Sequence, residues 1–214
     1  MTRKTKKIRA GQIVRYKDQE WHGNWEPLNV HNLDCAPNCF CLLGYSDWDT
    51  SNELARRTPQ GIHHSKVIEL LDHAYGRGHE WKHITRKNPL TKYLRNNDAT
   101  LAGIDSLKGV SGHYFVVLKN KYGNYAIDAQ TGITWQLDKY INLMGFNKGT
   151  LYIVYSPHVS LTPSDYNKVT MEIVTKCFPD VATELDYLKK MGYRTTDYSQ
   201  DELLEHLKNM GYSV

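Results

Sequence analysis

Near residue 99 the spacing of the apolar residues changes period, and this change constrains the fold more than any other feature. Before it, residues 62–75 (IHHSKVIELLDHAY) set Ile62, Val67, Ile68, Leu70, Leu71 and Ala74 at near-helical spacing, with Gly76 as a stop. Pro37 suits the first turn of a helix that continues through Phe40, Leu42 and Leu43 and ends at Gly44. Residues 51–57 (SNELARR) read as a short polar helix. After the change come ATLAGIDSL, HYFVVLKN, YAIDAQ and LYIVYS, short runs rich in β-branched and aromatic residues and divided by turn formers. The stretch LKNKYGNYAI (118–127) reads as a hairpin turning over Lys121 to Asn124. The pattern predicts an α+β fold, a helical N-terminal half packed face to face on a C-terminal antiparallel sheet.

Residues 1–20 stand apart as a basic arm: Arg3, Lys4, Lys6, Lys7 and Arg9 all precede the first acid, Asp18. Such an arm is either a solvated tail or a contact for a polyanion such as nucleic acid. No basic stripe with interleaved aromatics follows. Residues 21–157 form the main domain, and Pro157 closes its sheet. Residues 158–214 read as a helical extension, with a helix start at Thr162-Pro163-Ser164-Asp165 and a capping box at Ser199-Gln200-Asp201-Glu202. Met191-Gly192-Tyr193 and Met210-Gly211-Tyr212 resemble a repeated ubiquitin-binding loop. Each glycine also follows an amphipathic run (LDYLKK, LLEHLKN), where a left-handed C-cap needs it, and capping is the favoured reading. Fifteen tyrosines and five tryptophans argue against disorder. No apolar run reaches the roughly 18–20 residues of a membrane span, and the first residues lack the apolar core of a secretory signal. No membrane contact is expected.

Three of the four cysteines fall in NLDCAPNCFCLLGYSDW (32–48). Four unevenly spaced cysteines make a poor disulfide framework, so free thiols in a reducing, cytoplasmic setting are expected. A structural metal usually takes two ligand pairs, and Cys35, Cys39 and Cys41 have no second cluster to complete them. Cys177 stands alone in the sequence. No metal or other cofactor is predicted, and Cys39 and Cys41 read as small core hydrophobes. Cys35 differs because it opens the helix of Pro37, where unpaired N–H groups and the helix dipole favour a thiolate.

A nucleophile needs a base, and the base needs an orienter. Among ten histidines, His63, His64, His73, His79 and His83 lie in polar stretches read as helical surface. His113 opens the strand HYFVV. A hairpin turning between residues 121 and 122 sets Phe115 opposite Asp128 and His113 opposite Gln130. Strand alternation then puts all four on one face and makes His113 and Asp128 diagonal neighbours. Cys35 would come from the helical half and the other two from the sheet, with the site in the cleft between them.

The stretches DCAPNCFCLLGY and GHYFVVLKNKYGNYAIDAQTG together resemble the papain-like cysteine peptidase superfamily, in particular its viral and bacterial-toxin branches. There a cysteine opens the central helix and a Gly-His…Asp-x-Gln-Thr-Gly hairpin supplies the rest. The resemblance covers residues 30–156. It implies Cys35 as nucleophile, His113 as base, Asp128 as orienter, and a match of Gln130 and Gly132 to the hairpin motif. Ala129 stands where the family usually has proline. The family's upstream glutamine, an oxyanion donor, is missing; Asn29 or Asn32 is the available substitute, with the Cys35 backbone N–H. The resemblance implies a thiol hydrolase acting on peptide or isopeptide bonds, a protease or deubiquitinase-like enzyme whose partner is a polypeptide, ubiquitin-like or otherwise. Two other functions fit the same residues: a glutamine deamidase, and a papain fold kept as a structural or interaction module, for instance in a virus particle.

Overall fold

In the computed structural model the described residues are 28, 30, 33–107 and 112–192. The basic arm, Asn29, His31 and Asn32, the Ser199 capping box and the second Met-Gly-Tyr triplet all lie outside them. The chain is an α+β protein. Among the described residues, α-helices α1 (Cys35–Leu43), α2 (Trp48–Arg57), α3 (His64–Tyr75), α4 (Leu137–Leu143), α5 (Met171–Cys177) and α6 (Val181–Lys190) accompany an open antiparallel sheet. Its strands are β1 (Glu80–His83), β2 (Ala99–Asp105), β3 (Gly112–Asn120), β4 (Gly123–Asp128), β5 (Ile133–Gln136) and β6 (Tyr152–Tyr155), in the order β1-β6-β2-β3-β4-β5.

Local chemistry sets most boundaries. Gly44, at φ 80°, ends α1 in the left-handed conformation that a side chain disfavours. The Asp47 carboxylate accepts from Thr50 N–H and starts α2. The β3–β4 hairpin turns between Lys121 and Tyr122, the placement used to align the strands, while Gly123 and Asn124 belong to the ladder and not to the turn. The Asn120 side-chain oxygen accepts from the N–H groups of Tyr122 and Gly123, which fixes that turn.

The sheet is buried on both faces, which differs from a single helix-on-sheet interface. On one face Leu101, Val116, Leu118, Tyr125 and Ile127 pack with α1, α3 and α5. On the other, Ala102, Ile104, Phe115, Val117 and Ala126 pack with Leu137, Tyr140 and Ile141 of α4. Alternate side chains of each strand therefore enter different cores. Every residue of α1 is buried, the polar Asn38 included, so this helix is enclosed on all sides rather than striped. Val169, Val174, Cys177 and Phe178 join the same core as α1.

Several sequence expectations are corrected. Residues 80–83 form β1, an edge strand on β6, and carry His83 out of the helical class. His63 and His79 are buried, not surface residues: His63 caps α3, and His79 Nδ1 lies 2.8 Å from Asp72 Oδ1. The Thr162–Asp165 signal yields only a 3-10 turn at Pro163–Asp165, because Asp165 bonds back to Thr162; the helix itself begins at Met171, capped by Thr170. The first Met-Gly-Tyr triplet does carry a left-handed Gly192, φ 81°, one residue past the Met191 C-cap of α6.

Candidate active site

The register of the β3–β4 hairpin governs what meets at its open end. Val116 pairs with Ile127 and Asn120 with Gly123, the frame that sets Phe115 across from Asp128. The ladder stops at Val116–Ile127, so His113 has no strand partner in Gln130. Asp128 instead pairs with Ile133 of β5. Leaving the ladder frees the chain for a tight turn. Asp128 Oδ1 accepts from the N–H groups of Gln130 (3.1 Å) and Thr131 (3.2 Å), and the Asp128 carbonyl accepts from Gly132 N–H at 2.7 Å. Gly132 has φ 75°, a conformation that makes glycine the suitable residue there. The Asp-x-Gln-Thr-Gly pattern is thus, locally, a carboxylate-capped turn.

The other oxygen of that carboxylate faces the histidine. His113 Nε2 lies 3.2 Å from Asp128 Oδ2, and the Tyr140 hydroxyl donates to the same oxygen at 2.8 Å. Asp128 is 1% exposed. Its carboxyl is pushed up by burial, but the bonds and charge of His113 and the Tyr140 bond outweigh this and hold it below the usual carboxylate value. Phe146 stacks on the His113 ring with centroids 5.5 Å apart, and Phe115 lies parallel on the same strand at 6.4 Å. Carboxylate and rings together fix the imidazole plane.

Cys35 is the first residue of α1 and is 8% exposed. It lies within hydrogen-bonding reach of His113, while Asp128 engages Nε2 of that ring. Burial pulls the His113 pKa down, yet its hydrogen bonds to Asp128 and Cys35, together with the Asp128 charge, raise it to about 10. The surroundings therefore favour the cationic imidazole. The sulfur, imidazole and carboxylate meet at the end of the hairpin opposite its turn, where the start of α1 overhangs the sheet.

The start of α1 is anchored rather than capped. Asp34, 1% exposed, sits at the N-cap position but makes no side-chain bond to the first turn. Its carboxylate accepts instead from Val30 N–H and from Gln130 Nε2, each at 2.8 Å. Buried Asn38 accepts from Leu28 N–H and donates to the Asp34 carbonyl. Gln130 is thus committed to the residue before the thiol, and the first-turn N–H groups are left to other acceptors.

Three sequence-chosen residues, Cys35, His113 and Asp128, come together, with Gln130 one residue removed through Asp34. Asn29 and Asn32 fall outside the described residues. Tyr140 and Phe146 went unnoticed in the sequence; their signal was faint, an aromatic on a seven-residue helix and another in a turn. Burial governs the remaining thiols. Burial pushes Cys41 up to about 12 and Cys177 up to about 11; burial, then the charge of Cys35 and Asp128, raises Cys39 well above the usual thiol value. All four cysteines are free.

Compared with protein-family models and with curated protein sequences, the chain gives no match. Among the described residues, no helix is long and apolar enough to cross a membrane.

Proposed function

We propose that this protein is a papain-like thiol hydrolase that cleaves peptide or isopeptide bonds through a covalent acyl-enzyme. The observation that carries the reading is His113 itself, bonded on one ring nitrogen to a buried carboxylate and set against the thiol that opens a helix. An imidazolium beside the sulfur favours the nucleophilic thiolate. In the proposed reaction the Cys35 sulfur adds to the substrate carbonyl. The Cys35 backbone N–H is the donor offered to the developing oxyanion, since Pro37 has no N–H and the Asn38 N–H bonds the Asp34 carbonyl. As the C–N bond breaks, His113 gives its proton to the leaving amine, and a thioester remains. Neutral His113 then takes a proton from water, whose oxygen attacks the thioester and releases Cys35. Asp128 stays ionised throughout, holding the ring and balancing its charge; Tyr140 holds Asp128.

Exposed Leu107, Leu143 and Met144 lie near Phe146, since Leu107 N–H bonds the Gly145 carbonyl and Ser106 bridges to Phe146. An apolar shoulder beside the imidazole suits a polypeptide substrate better than a free amino acid. Covalent capture by electrophilic probes tests the assignment. A ubiquitin-derived or peptide-derived warhead should label the wild-type chain at Cys35 and leave Cys35→Ala unlabelled. Labelling by neither probe class, with the fold intact, favours a scaffold that has kept the constellation without the activity.

A further inference from the structure

The junction of α3, α5 and α6 holds a group of metal-competent side chains, remote in sequence from the cysteines of α1. Glu69 and His73 are four residues apart on α3 and share one face of it. Cys177 closes α5 against that face. One ligand atom from each, a carboxylate oxygen, an imidazole nitrogen and a sulfur, all lie within 4.8 Å of one another. We infer that Glu69, His73 and Cys177 bind a divalent transition-metal ion of the zinc type, with water as fourth ligand, and that the ion clamps α5 to α3.

The donor set is mixed, and it is the set that a tetrahedral, borderline-soft ion accepts. Bonds of about 2.0–2.3 Å place tetrahedral ligands about 3.5 Å apart. The observed spread needs a contraction of about 1 Å. His73 is exposed and Glu69 half-buried, so both have rotamer freedom for it, whereas Cys177 is fixed at 3% exposure.

A separate observation points to missing positive charge at the same junction. Glu184 of α6 is 3% exposed, its Oε1 has no hydrogen-bond partner, and Lys66 and Glu69 are the charges that act on it. A buried carboxylate oxygen without a donor is costly. Lys66 is shared too widely to compensate: its Nζ lies 2.9 Å from Glu69 Oε2 and donates to the Cys177 carbonyl at 3.3 Å. When the ion binds, the Cys177 S–H proton leaves to water as the sulfur–metal bond forms. The ion and Lys66 then outweigh the Glu69 carboxylate and the Cys177 thiolate, which leaves positive charge beside the buried Glu184.

The test uses the full chain stripped with a chelator and titrated with Co2+, read by the near-ultraviolet thiolate-to-cobalt charge-transfer band, and then with Zn2+, read by calorimetry and by thermal unfolding. The expected result is one equivalent bound, with a charge-transfer band kept in Cys35→Ala, lost in Cys177→Ser, and affinity at least about tenfold weaker in His73→Ala. Zn2+ at 100 times its Kd should raise the unfolding temperature of wild type and of Cys35→Ala, but not of Cys177→Ser. The exposed His73 is a substitution site that leaves the fold intact. No saturable binding, or a band that survives Cys177→Ser and vanishes in Cys35→Ala, overturns the inference. Neither readout involves hydrolysis, so the result is independent of the proposed activity.

Discussion

Replacing Tyr140 by phenylalanine removes one hydroxyl and almost no volume. The lost bond is 2.8 Å long and runs to the Asp128 oxygen that also holds His113. Both partners are buried, so water cannot replace the donor at no cost. A hydrogen bond to a charged acceptor contributes about 1.5–3 kcal/mol net. For a chain of this size that loss lowers the unfolding temperature by about 3–12 °C. The pH dependence follows from Asp128. Its folded pKa lies below the usual value, so the stability it contributes is present above about pH 4 and fades as pH falls through the folded value. The deficit of Tyr140→Phe should therefore be full at pH 7 and shrink in acid. Urea unfolding at both pH values, in a double-mutant cycle with Asp128→Asn, isolates the term. A coupling energy within about 0.5 kcal/mol of zero would refute the claim that Tyr140 acts through Asp128.

Two further outcomes follow. The His113 folded pKa is raised to about 10 from an ordinary 6.5, so its contribution to stability is complete below 6.5 and lost as pH rises through about 10. NMR titration of the His113 ring should show this, with a lower value in Asp128→Asn; a ring titrating near 6.5 in wild type contradicts the ion-paired site. Gln130→Ala cuts the bond to Asp34 and should destabilise by about 1.5–3 kcal/mol in denaturant unfolding, while also slowing Cys35 alkylation, because α1 loses its tie to the sheet. Unchanged alkylation would mean that Asp34 and Asn38 hold the helix start without it.

Features written in neighbouring residues were readable from the sequence. Pro37 and Gly44 bracket α1, and Asn120 with Gly123 closes the hairpin whose frame brings residue 113 toward residue 128. Tertiary features were not. Tyr140 reaches Asp128 from a seven-residue helix too short for its periodicity to register, although that helix fills the second face of the sheet. The Glu80–His83 strand is four residues long and exists through pairing with β6, whose residues are far away in the sequence. Polar neighbours suggested that His63 and His79 face water. Burial came in part from partners farther along the chain: Tyr187 packs on His63, and His158 on His79. The Gln130–Asp34 bond spans 96 residues, and no local pattern encodes it.

The central claim is that Cys35 owes its reactivity to His113, and site-resolved alkylation measures this directly. Iodoacetamide is applied to the native chain near neutral pH and the modified cysteines are quantified by mass spectrometry over time. Cys35 should react well before Cys39, Cys41 and Cys177, whose thiols burial keeps protonated, and His113→Ala should abolish that lead. Equal labelling of all four cysteines, or a Cys35 lead that survives His113→Ala, would contradict the account.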